Sequence, residues 1–514
     1  MRPNPPGRIC GVFRSAGITV EFFAATDLNG LRGLRMNSKN VNLARAEAAN
    51  RIAVAPTPGS VTRGGASARR EPPSPPGHFL VGNGPELKAD PLGFIVKAHR
   101  DYGDVIRIRI PLVRAYLAAH PDDIKHVVQD NHDNYTKNNI DYRLLKGGLG
   151  DGLLTSDGPY WLNQRRLIQP VFVRERIAQF GTLMAQAAQR LADDWEPRAR
   201  SGEPFDVAAE MTRVTLAIVA RALFSVDIVE HASVIGESLT TMNEAMGQAG
   251  LSALLPFLPT RANRRIRAAK RALDEVIWRI IAHRRASTAA TDDMLSILLS
   301  ARDRERDKPL SDKQIRDEVA TFLLAGHETT ANALAWTWYL LGQNPDAEDK
   351  LCAELAEVLG GRAPCVEDLP RMRYTAMVID ESMRLYPPAW AFSRSNLDED
   401  ELGGYRIRRG SLIYISQYVT HRHPAFWEEP DRFEPERFTP ERVAARPKYA
   451  YFPFGGGPRT CIGSQFALAE AALILGTLAQ RYRLRLVPNH RVEMQPLVTL
   501  RPRYGVKVVV QPRS

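Results

Sequence analysis

One cysteine stands at the end of a glycine-rich approach, Phe454-Gly-Gly-Gly457-Pro-Arg459-Thr-Cys461-Ile-Gly463, just before a helix expected from Ser464. A sulfur at a helix start lies near unpaired backbone N–H groups and the positive end of the helix dipole, which lower the thiol pKa and favour the anion. Glycines on the approach remove Cβ atoms, so the backbone can lie close to a flat ligand. A lone cysteine in that position is otherwise a small buried apolar group.

Three further segments carry reactive or charged groups at helical spacing. In Ala325-Gly326-His327-Glu328-Thr329-Thr330 a threonine can bond back to the carbonyl of Ala325, while the glycine lowers helix propensity so that the turn can open. In Glu381-Ser-Met-Arg384 the i and i+3 side chains share a face and can form an ion pair. In Trp161-Leu-Asn-Gln-Arg165 an indole donor and a guanidinium lie about one turn apart, an arrangement that suits a carboxylate.

The elements that must position these groups are mostly helices. Asp312 to Leu341 reads as one helix of about 30 residues, roughly 45 Å long, apolar on most sides, which therefore crosses the centre of the fold. Helices are also expected over Pro345–Leu359, Tyr374–Tyr386 and Ser464–Tyr482, and on the face formed by Ile266, Leu273, Ile277 and Ile280. Asp104 to Ile110 alternates like a half-buried strand with Ala115–Ala119 as hairpin partner, and short strands are expected at Tyr405–Ile407, Leu412–Ile415 and Val506–Val510. Pro424 to Pro453 has little period. The fold class is mixed, mainly α with small β-sheets, in one large domain spanning 76–514. Residues 1–75 read as a basic, disordered tail and a Pro/Gly/Ser-rich linker.

Composition narrows the function. The 514 residues are 44% hydrophobic and 25% charged, the balance of a folded globular protein. The formal charge of +11 could suggest a nucleic-acid partner, but residues 1–70 hold eleven Lys/Arg and three Asp/Glu, or +8, which leaves +3 for the other 444. Cys10, Cys352, Cys365 and Cys461 form no CxxC pair, which argues against a disulfide framework or zinc knuckle and for a reducing, cytoplasmic setting. No run of about 18 apolar residues marks a membrane span.

The spacing Phe-x-x-Gly-x-Arg-x-Cys-x-Gly over Phe454–Gly463 resembles the cysteine-ligand loop of the cytochrome P450 family, and the other three segments match in the family's order from about Pro75 onward. The resemblance implies haem b between the long helix and the C-terminal helix, with Cys461 as the iron ligand and Phe454 and Gly463 shaping its loop. It implies that Trp161, Arg165, Arg394 and Arg459 hold the haem propionates, and that Ala325 and Gly326 open a groove in which Glu328 and Thr329 relay protons toward dioxygen. His327 occupies a variable position and reads as a packing or hydrogen-bonding residue. Glu381, Arg384 and Arg437, the last from Phe433-Glu-Pro-Glu-Arg437-Phe438, take the structural role of a buried charge network beneath the haem loop.

By the same resemblance the activity is that of a haem-thiolate monooxygenase, inserting one atom of O2 into a C–H or C=C bond of a lipophilic small molecule. No flavin or iron–sulfur segment is left over, so a separate electron donor, a ferredoxin or a flavoprotein reductase, must supply electrons. A peroxygenase or isomerase is the alternative within the chemistry; a haem-based sensor or electron carrier is the alternative outside it. By position in the family it resembles, the pocket should draw on Asn134–Gly152, Ile228–Thr260, Phe322–Gly326 and Pro388–Phe392, including Leu251, Leu254, Leu255, Phe257, Phe322 and Trp390.

Overall fold

Residues 70–513 are described by a computed structural model, except 228–231, 250–259, 288–292 and 304–307. The axis of the fold is the helix Asp312–Gln343, 32 residues long, which runs two residues past its expected end before Asn344 and Pro345 stop it. Its start is a capping box: Gln314 N–H donates to Ser311 Oγ, and the Gln314 side chain takes the Ser311 N–H in return. It is buried on nearly every side, packed by the helices Val207–Phe224, Arg261–Ala286, Arg373–Leu385 and Ser464–Arg481. An apolar helix with no solvent face has to sit at the centre, as its composition implies.

Beside this bundle lies a five-stranded sheet in the order Val105–Ile110, Val113–Ala118, Leu412–Ile415, Phe392–Asn396, Tyr135–Thr136. The first two form the expected antiparallel hairpin, and its inner strand pairs in parallel with Leu412–Ile415, far along the chain. Alternation explains the placing: Ile106 and Ile108 are buried against Leu92, Ile95 and Ala98, while Arg107 and Arg109 are exposed. The sheet sets one site residue directly, because Arg394 pairs with Ile413 in the antiparallel ladder.

The residues just ahead of Pro75 are tied to the sheet and its neighbours. Glu71 pairs with both Arg107 and Arg408, and the Arg70 and Pro73 carbonyls accept from the N–H groups of Arg406 and Arg107. Charge pairing fixes a segment whose Pro/Ser-rich composition gives no period. The segment Pro424–Pro453 is irregular as expected, with one short helix, Pro440–Ala444, and a few tight turns.

Candidate active site

The cysteine loop depends on glycine where the backbone demands it. Gly455 and Gly457 have φ of +71° and +62°, and a Cβ on Gly457 would collide with the Val128 carbonyl. Cys461 N–H donates to Phe454 O at 2.9 Å and closes the loop, and Thr460 N–H donates to Gly457 O at 3.1 Å. Cys461 is exposed to a cavity of about 2300 Å³ that is also lined by Phe322, Ala325, Gly326 and Thr329 of the central helix. Although it is open to this cavity, the thiol lies deep among protein atoms.

One expectation is corrected here. The Cys461 thiol pKa is raised, not lowered: burial pushes it up, and the Gly463 N–H and the Arg165 guanidinium pull against that only in part. The helix starts at Ser464, so the sulfur meets a single backbone donor rather than the full helix end. A stable thiolate at this position needs a positive counter-charge, which a bound metal supplies while displacing the proton.

Beside the cysteine the cavity is rich in cations. Arg165 Nη1 donates to Thr460 O at 2.9 Å, and Arg459 pairs with Asp157 and lies 3.7 Å over the ring of Trp161. Arg394 Nη1 donates to Tyr142 Oη at 3.0 Å, and Lys137 Nζ to Leu154 O at 2.8 Å. Among the described residues, Asp157 is the carboxylate that pairs with any of these four cations. The shortage of negative charge shows in their acidities: burial and the neighbouring guanidinium groups hold Lys137 well below its ordinary pKa, and burial takes Arg459 down to about 10. A ligand bearing two carboxylates on a flat apolar body fits such a site, with the Cys461 sulfur in the same cavity. Lys137 falls in the Asn134–Gly152 segment expected at the pocket, but nothing in the sequence marks it as a buried cation.

On the central helix, Thr329 Oγ1 donates to Ala325 O at 2.9 Å, the back-bond expected from the sequence. Glu328 is not on the cavity wall; it accepts a 2.6 Å hydrogen bond from Thr499 Oγ1, and Thr499 does line the cavity. The threonine, on a loop with no periodic signal, went unseen in the sequence. His327 is buried, its Nδ1 faces the Leu323 carbonyl, and burial lowers its pKa, so the ring is a neutral packing group. Leu251, Leu254, Leu255 and Phe257 lie outside the described residues. Trp390 and Phe322 line the cavity as expected.

Glu381 and Arg384 form a fully buried bidentate pair at 2.6 and 2.8 Å, and Arg437 Nε lies 3.4 Å from the same carboxylate. Arg384 also donates to the carbonyls of His421, Pro430 and Arg432 at 2.9, 2.6 and 3.1 Å. The His421 ring in turn takes the N–H of Phe452 at 3.0 Å, two residues before the cysteine loop begins. The charge network is thereby tied to the loop through one histidine.

A second group of ligand-type side chains, His99, Asp104 and His423, is joined by hydrogen bonds. Ala425 N–H donates to His423 Nδ1 at 3.1 Å, which leaves the proton on Nε2, and that nitrogen donates to Asp104 at 3.0 Å. With both His423 ring nitrogens engaged and His99 bonded to the same carboxylate, the cluster pins the helix Pro91–Tyr102 to the turn that follows Gln417–Thr420.

The family model for Cytochrome P450 matches residues 72–509. The chain belongs to the cytochrome P450 family. It is 39% identical over 431 residues to cyclooctatin synthase of Streptomyces melanosporofaciens, covering 83% of this chain and 93% of that one. It is 37% identical to cyclooctat-9-en-7-ol 5-monooxygenase of the same organism, covering 84% and 94%. To pentalenene oxygenase of Streptomyces avermitilis it is 33% identical, covering 82% and 93%. The crystal structure of the cytochrome P450DA heme domain superposes with a TM-score of 0.77 at 28% identity, over 87% of this chain and 98% of that one. This P450 is accordingly a haem-thiolate monooxygenase of mainly helical fold that carries haem b and works with a lipophilic substrate, O2 and a redox partner. Among the described residues no helix is long and apolar enough to cross a membrane.

Proposed function

We propose that this P450 oxygenates a terpenoid held in the cavity above Cys461. The observation that carries the reading is the cavity itself, large and predominantly apolar, lined by both Cys461 and the Thr329 segment of the central helix. The printed activities of the relatives, on cyclooctat-9-en-7-ol and pentalenene, support the same substrate class. In this reading residues 76–514 are the catalytic domain, residues 1–75 a basic tail, and the enzyme is cytoplasmic.

Bound haem supplies a redox centre at which O2, two electrons and two protons become one water and one oxygen atom for the substrate. The chain's own groups have separable tasks. Cys461 holds the iron. Trp161, Arg165, Arg394 and Arg459 hold the haem carboxylates, while Phe454, Gly463, Ala325 and Gly326 leave room for its two faces. Thr329 can turn its hydroxyl from the Ala325 carbonyl into the cavity, and Glu328 can pass a proton inward through the Thr499 hydroxyl. Glu381, Arg384 and Arg437 hold the loop beneath. Electrons come from a ferredoxin or a flavoprotein reductase docking near Arg166, exposed on the helix whose Arg165 bonds the cysteine loop.

Two measurements test this. Titration of the ferric protein with a panel of terpenes, fatty acids and polyketides should give low-spin to high-spin shifts with terpenes; shifts confined to the other classes would refute the substrate assignment. In Thr329→Ala, reductant should still be consumed while product per electron falls by about tenfold or more, the difference appearing as hydrogen peroxide. Fully coupled turnover in that variant would remove Thr329 from the relay.

A further inference from the structure

Arg316, Asp317 and Glu318 follow one another on the central helix, and all three are buried, Glu318 completely. Three successive charged side chains stay buried only where polar partners cover them. The cover is the backbone of residues 148–153. Arg316 donates to Leu149 O at 2.8 Å and Gly148 O at 3.3 Å, and its Nε goes to Asp274 at 2.6 Å. Asp151 N–H donates to Asp317 at 2.9 Å, and Leu153 N–H to Glu318 Oε2 at 3.0 Å. Glycine permits the approach. A Cβ on Gly150, at φ +85°, would strike the Asp317 carboxylate, and one on Gly152 would lie 2.7 Å from the Asp317 carbonyl.

The clamped segment leads directly into the cavity wall. Leu153 and Leu154 both line the cavity, and the Leu154 carbonyl is held from the far side by Lys137. Two adjacent backbone groups are therefore gripped by different parts of the fold, Leu153 N–H by Glu318 and Leu154 O by Lys137. Glu318 differs from its neighbours in having one oxygen, Oε1, buried with no hydrogen-bond partner. Burial, with Asp317 and Asp151 alongside, raises its pKa to about 8. The charged and titratable groups around it are Asp317 and Arg316 on its own helix, Asp151 on the loop, and Tyr160 on the helix that follows, with Lys313 and Lys146 paired to the two aspartates. An acid kept neutral can accept the loop N–H without burying a charge.

We propose that Glu318 is a positioning residue for substrate: it fixes the Leu153–Leu154 wall over the central helix and so sets how tightly a lipophilic molecule sits above Cys461. The proposal rests on the cavity being the substrate site, but its clamp can be tested without any substrate.

The test uses the haem-loaded full chain with Glu318→Ala, Glu318→Gln and Gly152→Ala, each checked for haem content. Hydrogen exchange of the Leu153 amide should speed up by about tenfold or more in Glu318→Ala and in Gly152→Ala, and stay within about twofold of wild type in Glu318→Gln, whose amide oxygen keeps the acceptor. Geranylgeraniol, read by its spin-state shift, should bind about tenfold more weakly to the first two variants, while imidazole, small enough to reach the iron without meeting the wall, binds as before. The sign of the pH effect follows from linkage. A closed wall holds the Glu318 proton more tightly than an open one, so its advantage falls as pH rises from the ordinary carboxyl range to about 8 and is level above that. Geranylgeraniol affinity should fall over that range in wild type and not in Glu318→Gln. Unchanged exchange in Glu318→Ala, or equal loss in the Ala and Gln variants, would overturn the proposal. A wild type that answers imidazole but not geranylgeraniol would count against the terpene reading and leave the exchange result to decide this one.

Discussion

Cys461→Ala should abolish substrate oxygenation while leaving part of the haem-binding capacity intact. The separation follows from the geometry. In the proposed reading the sulfur is one of two independent holds on a flat dianionic ligand; the other is the group of Lys137, Arg165, Arg394 and Arg459, which among the described residues meets a single paired carboxylate in Asp157. Removing the sulfur removes the electron donor that favours O–O bond cleavage, so turnover falls to background. It does not remove the cations. Haem content and product formation, measured on the same preparation with a supplied reductase, should therefore diverge; product formation at the wild-type rate would rule out Cys461 as the ligand.

The second large effect is on stability. Glu381→Ala should destabilise the fold by about 3–5 kcal/mol, because it strands the Arg384 guanidinium, fully buried, and leaves Arg437 without its buried partner. Three carbonyls still accept from Arg384, but none carries the compensating charge. The Glu434 N–H loses its acceptor as well, a 2.9 Å bond to the same carboxylate. Because Arg384 also holds the His421 carbonyl, and His421 holds Phe452, the damage should reach the cysteine loop and lower haem retention. Denaturant unfolding of the two proteins side by side gives the difference. A loss below about 1 kcal/mol, the scale of an exposed pair, would mean that the network is not the support it is argued to be.

Helices and strands with a strong period were legible from the sequence alone. Tyr405–Ile407 and Leu412–Ile415 lie where alternation puts them, and the central helix differs from its expected span by two residues at one end. Local rules suffice there, since an apolar period and a capping serine act within a few residues. The Thr329 back-bond to Ala325 was legible for the same reason. What escaped notice depends on distant parts of the chain meeting. The raised Cys461 pKa comes from burial, which no helix-start pattern encodes. Lys137 matters because three arginines from other segments surround it, and Thr499 because it stands between Glu328 and the cavity. Glu318 carries no signal in the sequence, because the Leu153 N–H that it accepts comes from a loop 165 residues away.

The central claim, that Cys461 binds haem iron beneath an apolar cavity, is tested most directly by the carbon-monoxide difference spectrum of the reduced, haem-loaded wild-type protein. The band from which the family takes its name is the expected result, and its absence from Cys461→Ala completes it. A spectrum of the histidine-ligated type in wild type, or the family's band persisting in the variant, would contradict the account.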